Sequence, residues 1–213
     1  RRGLGRDGAG VTAPWSEGPP LACAELGQTC GSDVGRYVEA VAAFAEAGAD
    51  AIKVQMLDPA KLASPGAVPY WQTTRYAATQ VESFARAGVV PHDGWGPVRE
   101  ACDRHKVGFI ATPFDLGALP HLADLSPMAV KVASGDITWK GLLTEVAKMG
   151  LPVVLSTGAS TLVEVADALR WLQGAEVLPL ACSLQYPTRS RDANLARVAE
   201  LAKLAGEAGY SDH

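Results

Sequence analysis

The chain of 213 residues suits one domain. Hydrophobic residues at 48% and charged residues at 20% supply a full core, which excludes a disordered polar chain. The formal charge of −4 comes without a Lys/Arg run, so nucleic acid is not expected as a partner and any anionic ligand must be held locally.

No apolar run is long enough to span a bilayer, and no signal peptide is read, so the expectation is a cytoplasmic protein away from membranes. The start at Arg1 rather than Met suggests an incomplete N-terminus. Cys23, Cys30, Cys102 and Cys182 form no CxxC pair and no zinc pattern, and read as reduced core thiols.

Residues 1–20, rich in Gly, Pro and Arg, read as an irregular lead, a short hairpin across a barrel bottom. Leu21–Leu26 is the first strand, with Glu25 near its C-terminal end. A helix over 34–47 follows, with Val38, Val41 and Ala45 at helical spacing, Ser32 or Asp33 as cap and Gly48 as stop. The second strand, 51–55, places Lys53 and Gln55 at its end. An insertion over 56–90 carries Pro59, Pro65, Pro69, Tyr70, Trp71 and Tyr76. Its length fits either a lid or a surface excursion with a short helix near 79–87.

Regular units then resume. A helix near 93–106 precedes the strand 108–112, which ends at Thr112 with Asp115 beyond. A short helix near 116–124 leads to the stretch Ala129-Val-Lys-Val-Ala-Ser-Gly-Asp136. That run reads as a buried strand ending in polar residues, and its Lys131 is costly to bury without an anionic partner. Thr138 is placed to cap a helix over 139–149. The strand 152–156 ends at Ser156 and Thr157, and Thr161-Leu-Val-Glu164 is a capping box for a helix to about Leu172. A strand over 176–182, a helix over 193–207 and a strand beginning at Gly209 complete the pattern.

Six βα units and the start of a seventh, with polar groups on nearly every strand end, predict an α/β fold of the TIM (β/α)8 type, truncated at its C-terminus. An open doubly wound sheet is the alternative, but the first strand lacks a Gly-rich phosphate loop. The strand ends are expected to converge on one mouth. Lys53 and Lys131, with the hydroxyls of Thr112, Ser134, Ser156 and Ser211, suit a phosphate or carboxylate. Glu25 and Asp136 offer acid/base or sugar-hydroxyl contacts, and His213 a base or a metal ligand.

Seven segments carry a family resemblance: Ala24-Glu-Leu-Gly27, Ala49–Gln55, Ala111-Thr-Pro-Phe-Asp115, Lys131–Asp136, Leu155-Ser-Thr-Gly158, Tyr186-Pro-Thr188 and Gly209-Tyr-Ser-Asp-His213. In this order the chain, from about residue 20 onward, resembles the N-acetylneuraminate (sialic acid) synthase family, which includes the legionaminic and pseudaminic acid synthases. The resemblance implies condensation of phosphoenolpyruvate with the open-chain aldehyde of an N-acetylated amino sugar. It assigns Lys53, Thr112, Lys131, Ser134, Ser156 and Ser211 to phosphoenolpyruvate, and Glu25 to steering water and protons. It assigns Gln55, Asp136 and Tyr186 to the sugar. His213 matches one of two histidines that hold a divalent metal, manganese or magnesium, which serves as a Lewis acid. It also implies a homodimer when the protein is full length, through a C-terminal antifreeze-like domain that residues 21–213 do not include.

Two departures stand out. Thr29-Cys30 replaces the family's Asn-His, and Leu184 replaces a polar residue expected to face the substrate. Alternative readings are a Schiff-base aldolase using Lys131 and a non-catalytic remnant that binds an anion or a partner. Because the second metal histidine and last strands lie past His213, this chain alone is expected to be inactive, with a frayed and poorly positioned His213.

Overall fold

In the computed structural model, which describes residues 13–15, 18–69 and 79–213, each of the seven strands expected from the sequence is present. The described residues divide into two units, 18–128 and 129–213, the second joined by residues 13–15.

In the first unit, β1 (Cys23–Gly27), β2 (Ala51–Met56) and β3 (Gly108–Pro113) lie parallel in that order. Glu25 stands opposite Lys53, and Gln55 opposite Thr112. The β1 register breaks between Glu25 and Gly27, where Gly27 takes φ +48° and donates its N–H to the Glu25 carboxylate at 2.6 Å. Such an irregularity at a strand end re-aims the side chains around it. The helix α1 (Val34–Glu46) is capped by Asp33, which accepts from Arg36 N. Its buried face is Tyr37, Val41 and Ala45, spaced by four, so Tyr37 rather than the half-buried Val38 completes the stripe.

The insertion begins with α2 (Pro59–Leu62), capped by Asp58; four residues carry no periodic signal, so this helix was not legible in the sequence. The expected helix near 79–87 is α3 (Gln80–Ala87), capped by Thr79. Tyr70, Trp71 and Tyr76 lie outside the described residues. The insertion's end docks on the β1–α1 loop. At Gly31, φ +59°, a Cβ would come within 2.6 Å of the Ala87 carbonyl, so only glycine permits this approach. Then come α4 (Gly96–His105), whose preceding Trp95 packs edge-on against Tyr37 at 5.1 Å, and after β3 the helix α5 (Ala118–Asp124).

In the second unit, β4 (Ala129–Val132), β5 (Val153–Ser156), β6 (Val177–Cys182) and β7 (Gly209–Ser211) are parallel in sequence order. Every residue of β4 and β5 is buried. The intervening helices are α6 (Lys140–Lys148), α7 (Leu162–Trp171) and α8 (Ala196–Ala205). The capping box of Thr161 and Glu164 forms on α7 as the sequence predicts. Thr138 does not cap α6: Trp139 occupies that position without a side-chain cap bond. The reason is local, since a 3-10 turn over Ser134–Asp136 is followed by a Trp139 N–H to Asp136 carbonyl bond of 2.8 Å, and these turns carry the chain into the helix. Likewise a 3-10 turn over Ser190–Asp192 takes the residues before α8, which starts three residues later than expected.

From the lead, Ala13 is buried and donates to the Glu176 carboxylate just ahead of β6, at the N-terminal end of that strand. The rest of the expected hairpin, residues 1–12 and 16–17, lies outside the described residues. Cys30 and Cys102 are buried, but Cys23 is exposed and Cys182 half-buried at a strand end, so only two of the four are core thiols. Among the described residues no helix is long and apolar enough to cross a membrane.

Candidate active site

Gln55, Thr112, Lys131, Ser156 and Ser211 are the last or next-to-last residues of their parallel strands, and Ser134, Asp136, Tyr186 and His213 follow within a few residues, whereas Glu25 and Lys53 are the third residues of β1 and β2; the C-terminal strand end carries chemistry in barrels of this kind. In the first unit the Lys53 ammonium forms an ion pair with Glu25, its register partner on β1. The Glu25 side chain is 42% exposed and that of Lys53 16%. The Gln55 amide and the Glu25 carboxylate both flank Gly27, where a Cβ would lie 3.8 and 3.6 Å from them. Thr112 is 2% exposed and its hydroxyl has no hydrogen-bond partner. A buried hydroxyl left orphaned in a native fold marks a place where a ligand or water completes the set.

The second unit holds the more buried group. Lys131 is 5% exposed, and its ammonium donates to the Val132 carbonyl at 2.8 Å and the Ser156 hydroxyl at 2.5 Å. Ser134 follows β4, and its hydroxyl accepts the Gly158 N–H at 2.9 Å while lying 3.3 Å from the Cys182 sulfur. Thr157, named with Ser156 in the sequence pattern, turns the other way and donates to the Leu180 carbonyl on β6, so it ties strands together. Burial pushes the Asp136 carboxyl up to about 6, against the opposing pull of the Lys131 charge, and one of its oxygens is buried without a partner. Asp136 is therefore a group that changes charge near neutrality in a cation's field.

The expectation of a frayed His213 is overturned. Its carbonyl accepts from Thr188 N at 2.7 Å, its ring stacks on Tyr186 at 4.2 Å, and its Nδ1 donates to the Ser183 carbonyl at 2.6 Å. These bonds hold the terminal residue because the Tyr186–Thr188 turn lies against it. In the neutral ring, a proton on Nδ1 leaves the lone pair on Nε2, which lies 3.3 Å from Tyr186 Oη and 3.4 Å from Ser211 Oγ. A backbone carbonyl on the other nitrogen is how metal-ligating histidines are oriented, so the ring fits a ligand's role. Among the described residues no group of three or more His, Cys, Asp or Glu side chains is placed to hold a metal.

One cluster escaped the sequence reading. Asp115, 4% exposed, accepts from His92 Nε2 at 3.0 Å and Gly117 N at 2.8 Å, with Lys61 at 3.5 Å. His92 Nδ1 is buried without a partner. The cluster ties the insertion, at Lys61 and His92, to the loop after β3. The signal available was Asp115 beside the strand end; nothing in the spacing pointed to residues 23 and 54 positions away.

The NeuB family model matches residues 40–213. An uncharacterized protein of Methanocaldococcus jannaschii is 32% identical over 92% of this chain and 56% of its own length. The N,N'-diacetyllegionaminic acid synthase of Campylobacter jejuni is 30% identical over 91% of this chain and 60% of its own length. Among solved structures, the N-acetylneuraminic acid (sialic acid) synthetase of Leptospira borgpetersenii, crystallised in complex with citrate, superposes with a TM-score of 0.80 at 28% identity. That match covers 92% of this chain and 66% of that one. The chain thus spans little more than half the length of the curated relatives it matches. The fold is the TIM-barrel type of these synthases, here as seven successive parallel strands with alternating helices. With the family model spanning most of its length, the chain belongs to the NeuB family.

Proposed function

We propose that this chain carries the binding and acid/base residues of a synthase that joins phosphoenolpyruvate to an N-acetylated amino sugar of the N-acetylmannosamine type, giving a nonulosonic (sialic-type) acid and phosphate. The observation that carries the reading is the Lys131 ammonium, on a nearly buried side chain, presented at the end of β4 beside Ser156. A cation and hydroxyls in a dry setting bind an oxyanion far more strongly than they would in water.

In the second unit Lys131, Ser134, Ser156 and Ser211 would hold the anionic groups of phosphoenolpyruvate, and in the first unit Lys53 and Thr112 have the same assignment. Glu25, paired with Lys53, would steer water and protons. Gln55, Asp136 and Tyr186 would contact the sugar. In the reaction C3 of phosphoenolpyruvate forms a bond to the aldehyde carbon, water adds at C2, and the C–O bond to phosphate breaks. A divalent ion, manganese or magnesium, would polarise the aldehyde oxygen when bound, with His213 as one ligand. A cytoplasmic homodimer belongs to the same reading.

The geometry at Lys131 favours this over a Schiff base: its nitrogen is engaged with a carbonyl and a hydroxyl, whereas a nucleophilic amine needs its lone pair free and aimed at a carbonyl carbon. The test is phosphate release from phosphoenolpyruvate plus N-acetylmannosamine with manganese, using the intact protein. Release that requires both substrates is expected. Borohydride trapping of a carbonyl substrate on Lys131, or an absence of phosphoenolpyruvate binding, would overturn the reading.

A further inference from the structure

Leu184 is an anomaly among the strand-end groups of the second unit. It follows β6, is 40% exposed, and lies against Gly158. A Cβ built on Gly158 would meet Leu184 Cδ2 at 3.1 Å, Cys182 Sγ at 3.1 Å and Ser134 Oγ at 3.0 Å. Gly158 is also the residue whose N–H is bonded to Ser134. The Ser134–Gly158 hydrogen bond is therefore flanked on one side by a methyl group and a sulfur. An oxyanion gains nothing from that side, because neither group is a good donor. A carbon group beside the oxyanion does gain there, by leaving water for an apolar contact.

We infer that Leu184, backed by Cys182 across Gly158, is a specificity-determining residue that selects anions bearing a carbon substituent next to the phosphate and carboxylate. The inference rests on the proposed phosphoenolpyruvate reading and sharpens it, since phosphoenolpyruvate carries its C3 methylene on the same carbon as its phosphate ester and carboxylate. Simple phosphate, or a two-carbon phosphate ester, offers nothing for Leu184 to touch.

The experiment compares phosphoglycolate with phospholactate, which differ by one methyl group, by calorimetry on the wild-type protein, on Leu184→Asn and on Leu184→Met. The wild type and Leu184→Met are expected to bind phospholactate about fourfold more tightly, the value of one buried methylene. In Leu184→Asn that ratio is expected to fall to about one, while inorganic phosphate binds more tightly because the amide can donate. Equal affinities for the two esters in the wild type, or an unchanged ratio in Leu184→Asn, would overturn the inference and leave the synthase reading standing. Binding of neither ester, nor of phosphoenolpyruvate, would remove the reading itself. Because Leu184 is substantially exposed, its replacement does not threaten the fold.

Discussion

Lys53 on β2 and Lys131 on β4 occupy similar places in an apolar strand, yet their surroundings differ. Lys53 meets the Glu25 carboxylate in register from the next strand, at a site where the carboxylate side chain is 42% exposed. Lys131 is 5% exposed and gives its ammonium to a carbonyl and a hydroxyl, and the nearby Asp136 carboxyl is pushed up to about 6 by burial in spite of the Lys131 charge. A partly exposed ion pair contributes little, because water and salt screen it. A buried cation depends on every partner it has, and so does any ligand that replaces water around it. The same residue type is thus a partly exposed, carboxylate-paired charge in one unit and, in the proposed reading, a buried anion anchor in the other.

The largest effect should come from breaking the anchor. Lys131→Met is expected to cost about 2–3 kcal/mol of phosphoenolpyruvate binding, roughly a 30- to 150-fold loss, because it removes a charge-assisted partner from a dry site. Calorimetry checks this, and unchanged affinity would end the contrast between the two lysines.

A smaller effect should come from Asp136, and its sign can be worked out. Its folded-state value is raised from 3.8 to about 6, so burial favours the protonated form. The stability it contributes is complete below about pH 4 and is lost as the pH rises through 6. The loss is at most about 3 kcal/mol. Denaturant midpoints for the wild type and Asp136→Asn between pH 4 and 7 should therefore diverge, the variant gaining relative to the wild type with rising pH. Parallel curves would show that Asp136 is better solvated than its burial implies.

Smallest of all should be Glu25→Gln, which removes the exposed partner of Lys53. Unfolding stability is expected to change by less than about 1 kcal/mol, and less again at high salt. A change above about 2 kcal/mol would mean that Lys53 is as dependent on its surroundings as Lys131.

Much of this molecule was legible in order along the chain. All seven strands, the Asp33 cap and the Thr161–Glu164 box follow from local patterns of burial and capping, which act within a few residues. Lys131 announced itself as a charge inside a buried run, because a cation cannot enter a core without partners. Who those partners are was beyond local reach. That Thr157 turns to Leu180 while Ser156 turns to Lys131 depends on the pleat and on the neighbouring strand. That His213 is held by Ser183, Tyr186 and Thr188, rather than frayed, depends on a turn 25 or more residues earlier. The Asp115–His92–Lys61 cluster and the leucine against Gly158 belong to the same class. Sequence by itself determined which elements form and which residues reach the strand ends, since both follow from periodicity and from the cost of burying polar groups. Only the tertiary structure decided which of those groups are joined to one another, because hydrogen bonds and ion pairs between distant segments exist only once the strands are set in register.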